Sequence, residues 1–151
     1  MEDLPTISLQ QKARLLPGRI EHYWFENEHI GLKRTRFHRI VIPIEPFDSG
    51  LEYVQQPEHT ELVIDWINLG IVDPGDLDGV TIAMGVTPDV EASIYIGSAH
   101  NWTEITELNL VKEGEGYRVR GKGIVQFENE RVGRNEPFVF ETTAEYIGET
   151  V

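Results

Sequence analysis

From residue 19 onward the chain repeats short apolar runs, most of them alternating with polar positions and cut by Gly, Pro, Asp and Asn. Alternation with period two puts successive side chains on opposite faces of a strand. The runs are rich in Ile, Val, Thr, Tyr, Phe and Trp, which favour extended backbone. The pattern predicts strands at about 19–25, 31–44, 60–68, 80–86, 91–97, 103–112, 116–127 and 132–147. In the clearest of these, Tyr117, Val119, Val125 and Phe127 share one face, and Arg118, Arg120, Lys122 and Gln126 the other. Gly121 and Gly123 fall on the apolar face, where a missing side chain predicts a bend, a bulge or the close approach of another layer. Helical signals are confined to Thr6–Leu16, with Thr6 or Ser8 as N-cap, Leu9, Ala13 and Leu16 on one side, and Pro17-Gly18 as a stop. About eight strands with short turns and no helices between them predict an all-β, mainly antiparallel meander. It would be closed into a barrel or folded into a sandwich, with one short N-terminal helix.

Composition narrows the class. A chain of 151 residues matches a single domain spanning 1–151. With 40% apolar and 26% charged residues it is too apolar for disorder, and it has no apolar run that could span a bilayer. The opening stretch MEDLPTISLQQKARLLPG carries acids where a secretion signal carries positive charge, so a soluble, cytoplasmic protein is expected. The absence of cysteine excludes disulfides, thiolate nucleophiles, zinc ribbons and iron–sulfur ligation.

Charge changes the picture most. The net charge is −13, and from Ile40 to Val111 there is no Lys or Arg, while those 72 residues hold 13 Asp and Glu. Such a surface repels DNA, RNA and anionic lipid, so neither nucleic acid nor membrane is expected as a partner. It would attract a basic protein and speed its capture. Asp73, Asp76 and Asp78 in the central loop, with Glu58 and Glu61 flanking the third strand, are the candidate partner-binding residues, being numerous and outside the apolar runs. Surplus acid that merely keeps a β-rich domain soluble is the simpler account of the same charge.

Motifs carrying other chemistry read as structural. WFENEHIG, closing at Gly31, and QFENERVG, closing at Gly133, repeat one frame, read as two polar hairpin tips in which Asn takes positive φ. Neither tip excludes water, so neither is expected to be catalytic. GYRVRGKG at 116–123 matches most of a phosphate loop but has Gly123 where Ser or Thr should bind magnesium, and it alternates as mid-strand. SAHNW at 98–102 brings Ser98 and His100 together without a nucleophile elbow, and Asn101-Trp102-Thr103 spells a glycosylation sequon. DPGDLDG at 73–79 offers calcium three carboxylates but lacks EF-hand spacing and reads as a turn. His22 and His38 would approach across the first hairpin, too little for a metal site. In KRTRFHR at 33–39, Lys33, Thr35, Phe37 and Arg39 share one strand face and Arg34, Arg36 and His38 the other, so only half could meet one ligand.

Three functions follow. The leading one is a noncatalytic acidic protein that binds, and in an inhibitor or immunity role neutralises, a basic protein, with no cofactor and no metal. A small-ligand barrel would line its pocket from Trp24, Trp66, Trp102 and Tyr95. A hydrolase or isomerase would pair a His with an acid such as Asp65, which LVIDWINL surrounds with apolar residues.

Overall fold

In the computed structural model of the chain, which describes residues 3–83 and 90–150, the alternating segments form α1 (Leu9–Lys12), β1 (Gly18–Asn27), β2 (Leu32–Phe47), β3 (Glu58–Ile67), β4 (Thr81–Ala83), β5 (Glu91–Ile96), β6 (Ala99–Glu113), β7 (Gly116–Val125) and β8 (Glu136–Glu149). Of the expected strand at 80–86, positions 84–86 lie outside the described residues.

Strands β1, β2, β3, β5, β6, β7 and β8 pair in that order, each antiparallel to the next, and β8 returns to β1. An up-and-down meander of seven strands has its first and last members running the same way, so the closing pair β1–β8 is parallel, with Gly18 opposite Ala144. The result is a closed mixed barrel. β4 adds an extra strand beside β6 at 107–109, on the edge that β5 leaves free.

Inward positions follow the predicted alternation. Ile20, Ile40, Ile42, Leu62, Ile64 and Ile94 are buried in one continuous core. Each contributes roughly 1.5–3 kcal/mol relative to exposure. The two strand glycines are required by packing inside the barrel. A Cβ on Gly121 would lie 2.3 Å from the Phe140 ring, and one on Gly123 would lie 2.2 Å from the Glu104 carbonyl oxygen.

The N-terminal helix is a single turn, shorter than the 6–16 predicted, because long-range bonds claim the backbone on both sides of it. Ser8 occupies the N-cap without a side-chain bond. The Glu136 carboxylate on β8 instead accepts the N–H groups of Ile7 at 2.8 Å, Ser8 at 3.0 Å and Leu9 at 2.8 Å. Beyond the turn the chain is extended, and Leu15 bridges to Ile44.

The two Glu-Asn-Glu frames form 3-10 turns, and the positive φ falls elsewhere than on Asn. Gly31 and Arg131 hold φ of 70° and 59°. Asn27 is extended and caps the first turn by accepting the His29 N–H. The second frame is no simple hairpin tip. Its loop runs to Glu136, Phe127 and Val132 are buried in the core, and Glu128 exchanges hydrogen bonds with Asn135 at 2.9 Å in both directions.

Candidate functional site

The barrel wall is divided as the charge pattern implies. Cationic residues of β7 point outward and meet acids: Arg118 binds Glu113 and Glu141, Arg120 binds Glu141, and Lys122 binds Glu107. Strands β3 and β5 and the first half of β6, all from the segment without Lys or Arg, lie side by side. Since Leu62, Ile64, Ala92, Ile94, Asn101 and Thr103 are buried, the intervening residues face out. The register then places Val63, Ser93 and Trp102 on one rung and sets Tyr95 opposite His100 on the next. Tyr95 and Trp102 are each 44% exposed. Glu61, Glu91 and Glu104 occupy outward positions around them, with Glu61 and Glu91 exposed and Glu104 half-buried.

The five acids expected to bind a partner do not form one cluster. Glu58 opens β3 and the 73–78 loop follows its far end, so the ten-residue strand, about 30 Å long, separates them. Asp73, Asp76, Asp78 and Glu61 are exposed, whereas Glu58 is buried. Within the loop the acids build the turn. Asp73 accepts the Gly75 N–H at 2.9 Å, Asp78 accepts the Lys112 N–H at 2.8 Å, and Leu77 is anchored in the core. Among the described residues no group of three or more His, Cys, Asp or Glu is placed to hold a metal.

Asp65 lies on the outer wall and its carboxylate is fully engaged. β3 gains one residue against β2 between Ile64 and Ile67, and Trp66 adopts φ of 58° in that bulge. The bulge turns Trp66 onto Tyr23, Phe25 and Phe37, with ring centroids 5.8, 5.1 and 5.2 Å away. Asp65 accepts from Tyr23 Oη at 2.6 Å, Arg39 Nε at 3.0 Å and the Trp66 N–H at 2.7 Å. Arg39 also reaches Glu21 at 3.1 Å and lies over the Tyr23 ring. Burial, and then the bond to Asp65, push the Tyr23 hydroxyl well above its ordinary pKa. Burial opposes the Arg39 charge, but the bonds to Asp65 and Glu21 outweigh it and raise its pKa. This is an ion-paired brace across three strands, with no histidine bonded to the acid.

His22 and His38 are register partners, as their places in the hairpin implied, with ring centroids 5.9 Å apart. His38 Nε2 sits 2.9 Å from the Pro74 carbonyl, which can only accept, so the proton is there and the buried Nδ1 lone pair is left without a partner among the described residues. Burial lowers the His38 pKa. His22 Nδ1 lies 2.6 Å from Tyr146 Oη, and its Nε2 lies 3.6 Å from Glu149.

The remaining motifs resolve as structure. Ser98 holds the β5–β6 turn at φ of 59°, and His100 packs against Tyr95 at 4.8 Å. Asn101 of the sequon is 0% exposed, so its amide is closed to modification in the fold. Arg34 and Arg36 lie over Trp24. Of the aromatics assigned to a central pocket, Trp66, Trp102 and Tyr95 are on the outer wall, and Trp24 is held by these arginines.

An open recess of about 450 Å³ lies at the β5–β6 turn, bordered by Val54, Pro57, Glu58, His59, Tyr95 and Ser98. The Glu58 carboxylate accepts the Gly97 N–H at 2.9 Å, and Tyr53 Oη donates to the Gly97 carbonyl. Burial, then the Glu58 charge, raise the Tyr53 pKa. Parity alone signals this recess along the chain: Glu58 shares the inward face with Leu62 and Ile64.

No family model, no curated protein and no solved structure matches this chain. Among the described residues no helix is long and apolar enough to cross a membrane.

Proposed function

We propose that this barrel is a noncatalytic binding protein that captures a basic protein on the outer wall of β3, β5 and β6. The observation that carries this reading is the joint placement of two exposed aromatics, Tyr95 and Trp102, among Glu61, Glu91 and Glu104 on a wall built from a segment without Lys or Arg. Aromatic rings in an acidic surround suit cationic side chains, which stack on the rings and pair with the carboxylates. Asp73, Asp76 and Asp78 lie at the other end of β3 and add to the long-range field that steers encounter, rather than to the contact. An inhibitory role belongs to the same reading, since a protein that covers a basic surface blocks what that surface binds.

A photo-crosslinking residue at Ser93, between Val63 and Trp102, would capture the partner in cells. The captured protein should be basic, and its association rate should fall steeply with salt, because the Debye length is only about 10 Å at 0.1 M. Trp102→Ala should weaken the complex chiefly through dissociation, and the triple change of Asp73, Asp76 and Asp78 to Asn should slow association. A partner whose affinity is indifferent to salt and to Trp102 would overturn the reading.

A further inference from the structure

A carboxylate removed from water needs a cation, or enough hydrogen bonds to replace its hydration. Glu58, 9% exposed, has half of that. Its Oε1 accepts the Gly97 N–H, while Oε2 is buried and has no hydrogen-bond partner among the described residues. Lys12 is committed to the Ser49 carbonyl at 3.3 Å, and Arg19, Arg39, Arg118, Arg120 and Lys122 pair with other acids. Two more oxygens on the inward face of this end are in the same state, Thr60 Oγ1 and Asn101 Oδ1. The Asn101 orientation is fixed because Nδ2 donates to the carbonyls of Ile94, Ile96 and Ala99, which leaves the oxygen over. Among the described residues, this end of the barrel therefore holds three buried oxygens that no donor meets.

The recess borders Glu58, and a side chain that reached Oε2, which is closed to water in the folded protein, would enter from there. Tyr95 borders it and also stands on the outer wall of β5, so a protein lying on that wall has the recess within reach of one long side chain. We propose that the Glu58 recess holds a single primary ammonium group, the lysine side chain of the basic partner, an assignment that rests on the outer wall being the partner surface. The lysine stem would lie along Val54, Pro57 and the Tyr95 ring while its charge meets Glu58. Lysine suits the site better than arginine. A guanidinium forks onto two free carboxylate oxygens, and one oxygen of Glu58 is already taken by Gly97, whereas an ammonium needs only one strong acceptor and brings further donors.

The Gly97 amide, bonded to Glu58, is the reporter in a two-dimensional NMR titration of the folded protein. The probe is Nα-acetyl-lysine methylamide, compared with its Nε-acetylated neutral analogue and with the arginine counterpart. A saturable shift of Gly97 is expected with the lysine probe, with about tenfold weaker response to the other two. Glu58→Gln keeps a carbonyl oxygen for the Gly97 N–H and removes the charge, and it should lower the lysine response by a similar factor. Equal shifts from the lysine probe and its neutral analogue, or undiminished lysine affinity in Glu58→Gln, would overturn the assignment. The probe comparison on the unsubstituted protein decides the matter even where the variant folds poorly. It involves no partner and leaves Trp102 and the outer acids untouched, so its failure removes the pocket alone. Failure of the salt and Trp102 tests removes the partner surface instead.

Discussion

Replacing Glu136 by Gln tests whether one side chain holds the N-terminal segment on the barrel. Glu136 is 7% exposed and accepts three backbone N–H groups, two at Oε2 and one at Oε1, from residues 7–9. Ile7 and Leu9 are fully buried, so water cannot replace what is lost. Glutamine is nearly the same shape but offers one acceptor oxygen, with an amide NH2 in place of the other. With its oxygen toward Ile7 and Ser8 it keeps two bonds, now neutral, and sets its NH2 against the Leu9 N–H. A hydrogen bond to a charged group contributes about 1.5–3 kcal/mol, and an unsatisfied buried donor costs about 1–3 kcal/mol, so a loss of about 2–3 kcal/mol is expected. Against a typical stability of about 5–15 kcal/mol this is readily measured. Urea unfolding should show an earlier midpoint with an unchanged slope, and the amides of Ile7, Ser8 and Leu9 should lose hydrogen-exchange protection before those of β7. If the midpoint moves by less than the equivalent of about 0.5 kcal/mol and these amides stay protected, the segment is held by its apolar contacts and the argument fails.

Gly121→Ala and Gly123→Ala should both destabilise, by about 1–3 kcal/mol for the first and more for the second. The Gly121 clash is with the Phe140 ring and a Leu108 methyl, which can shift, whereas the Gly123 clash is with the Glu104 backbone, which cannot shift without disturbing the β6–β7 ladder. Equal urea midpoints for the two would refute that ranking. His38 gives a pH dependence of definite sign. Its folded pKa is lowered from 6.5 by burial, so below about pH 6.5 the unfolded chain takes up a proton that the folded one refuses. Stability should therefore fall as pH drops through 6.5 toward the folded value, with a slope of up to about 1.4 kcal/mol per pH unit from this group. His38→Gln should flatten that decline, and an unchanged profile would show that His38 is not its source.

Side-chain parity made most of the barrel wall readable. Tyr117, Val119 and Val125 alternate with Arg118, Arg120 and Lys122 because that strand meets the core on one side and water on the other. The same logic is harder to see in β1, where Ile20, Glu21, His22 and Tyr23 are all buried. Their outward members are covered by Arg39 of the neighbouring β2 and by Trp66, which a bulge in β3, two strands away, delivers, and nothing in β1 itself records it. The helix is shorter than its pattern predicts because the backbone on one side bonds to Glu136, more than 120 residues on, and on the other to β2, and distance along the chain hides such bonds. Glu58 reads as an exposed acid because it lies outside the apolar runs, just before the strand expected at 60–68, although its parity with Leu62 and Ile64 turns it inward. The aromatic pair Tyr95 and Trp102 became a surface feature only once the register set their strands side by side.

The parallel closure of the barrel also decides how the molecule bears a load. β1 enters at Gly18, opposite Ala144, and β8 leaves at Glu149, opposite His22, so tension applied through the two outer ends of these strands runs lengthwise along their common seam. A seam stretched in that direction yields by sliding, with its rungs sharing the force, whereas a hairpin such as β1–β2, pulled apart at its open end, peels one rung at a time. The odd strand that forces β1 and β8 to run the same way therefore sets the joint that closes the barrel in shear, the orientation in which a ladder of weak bonds is mechanically strongest.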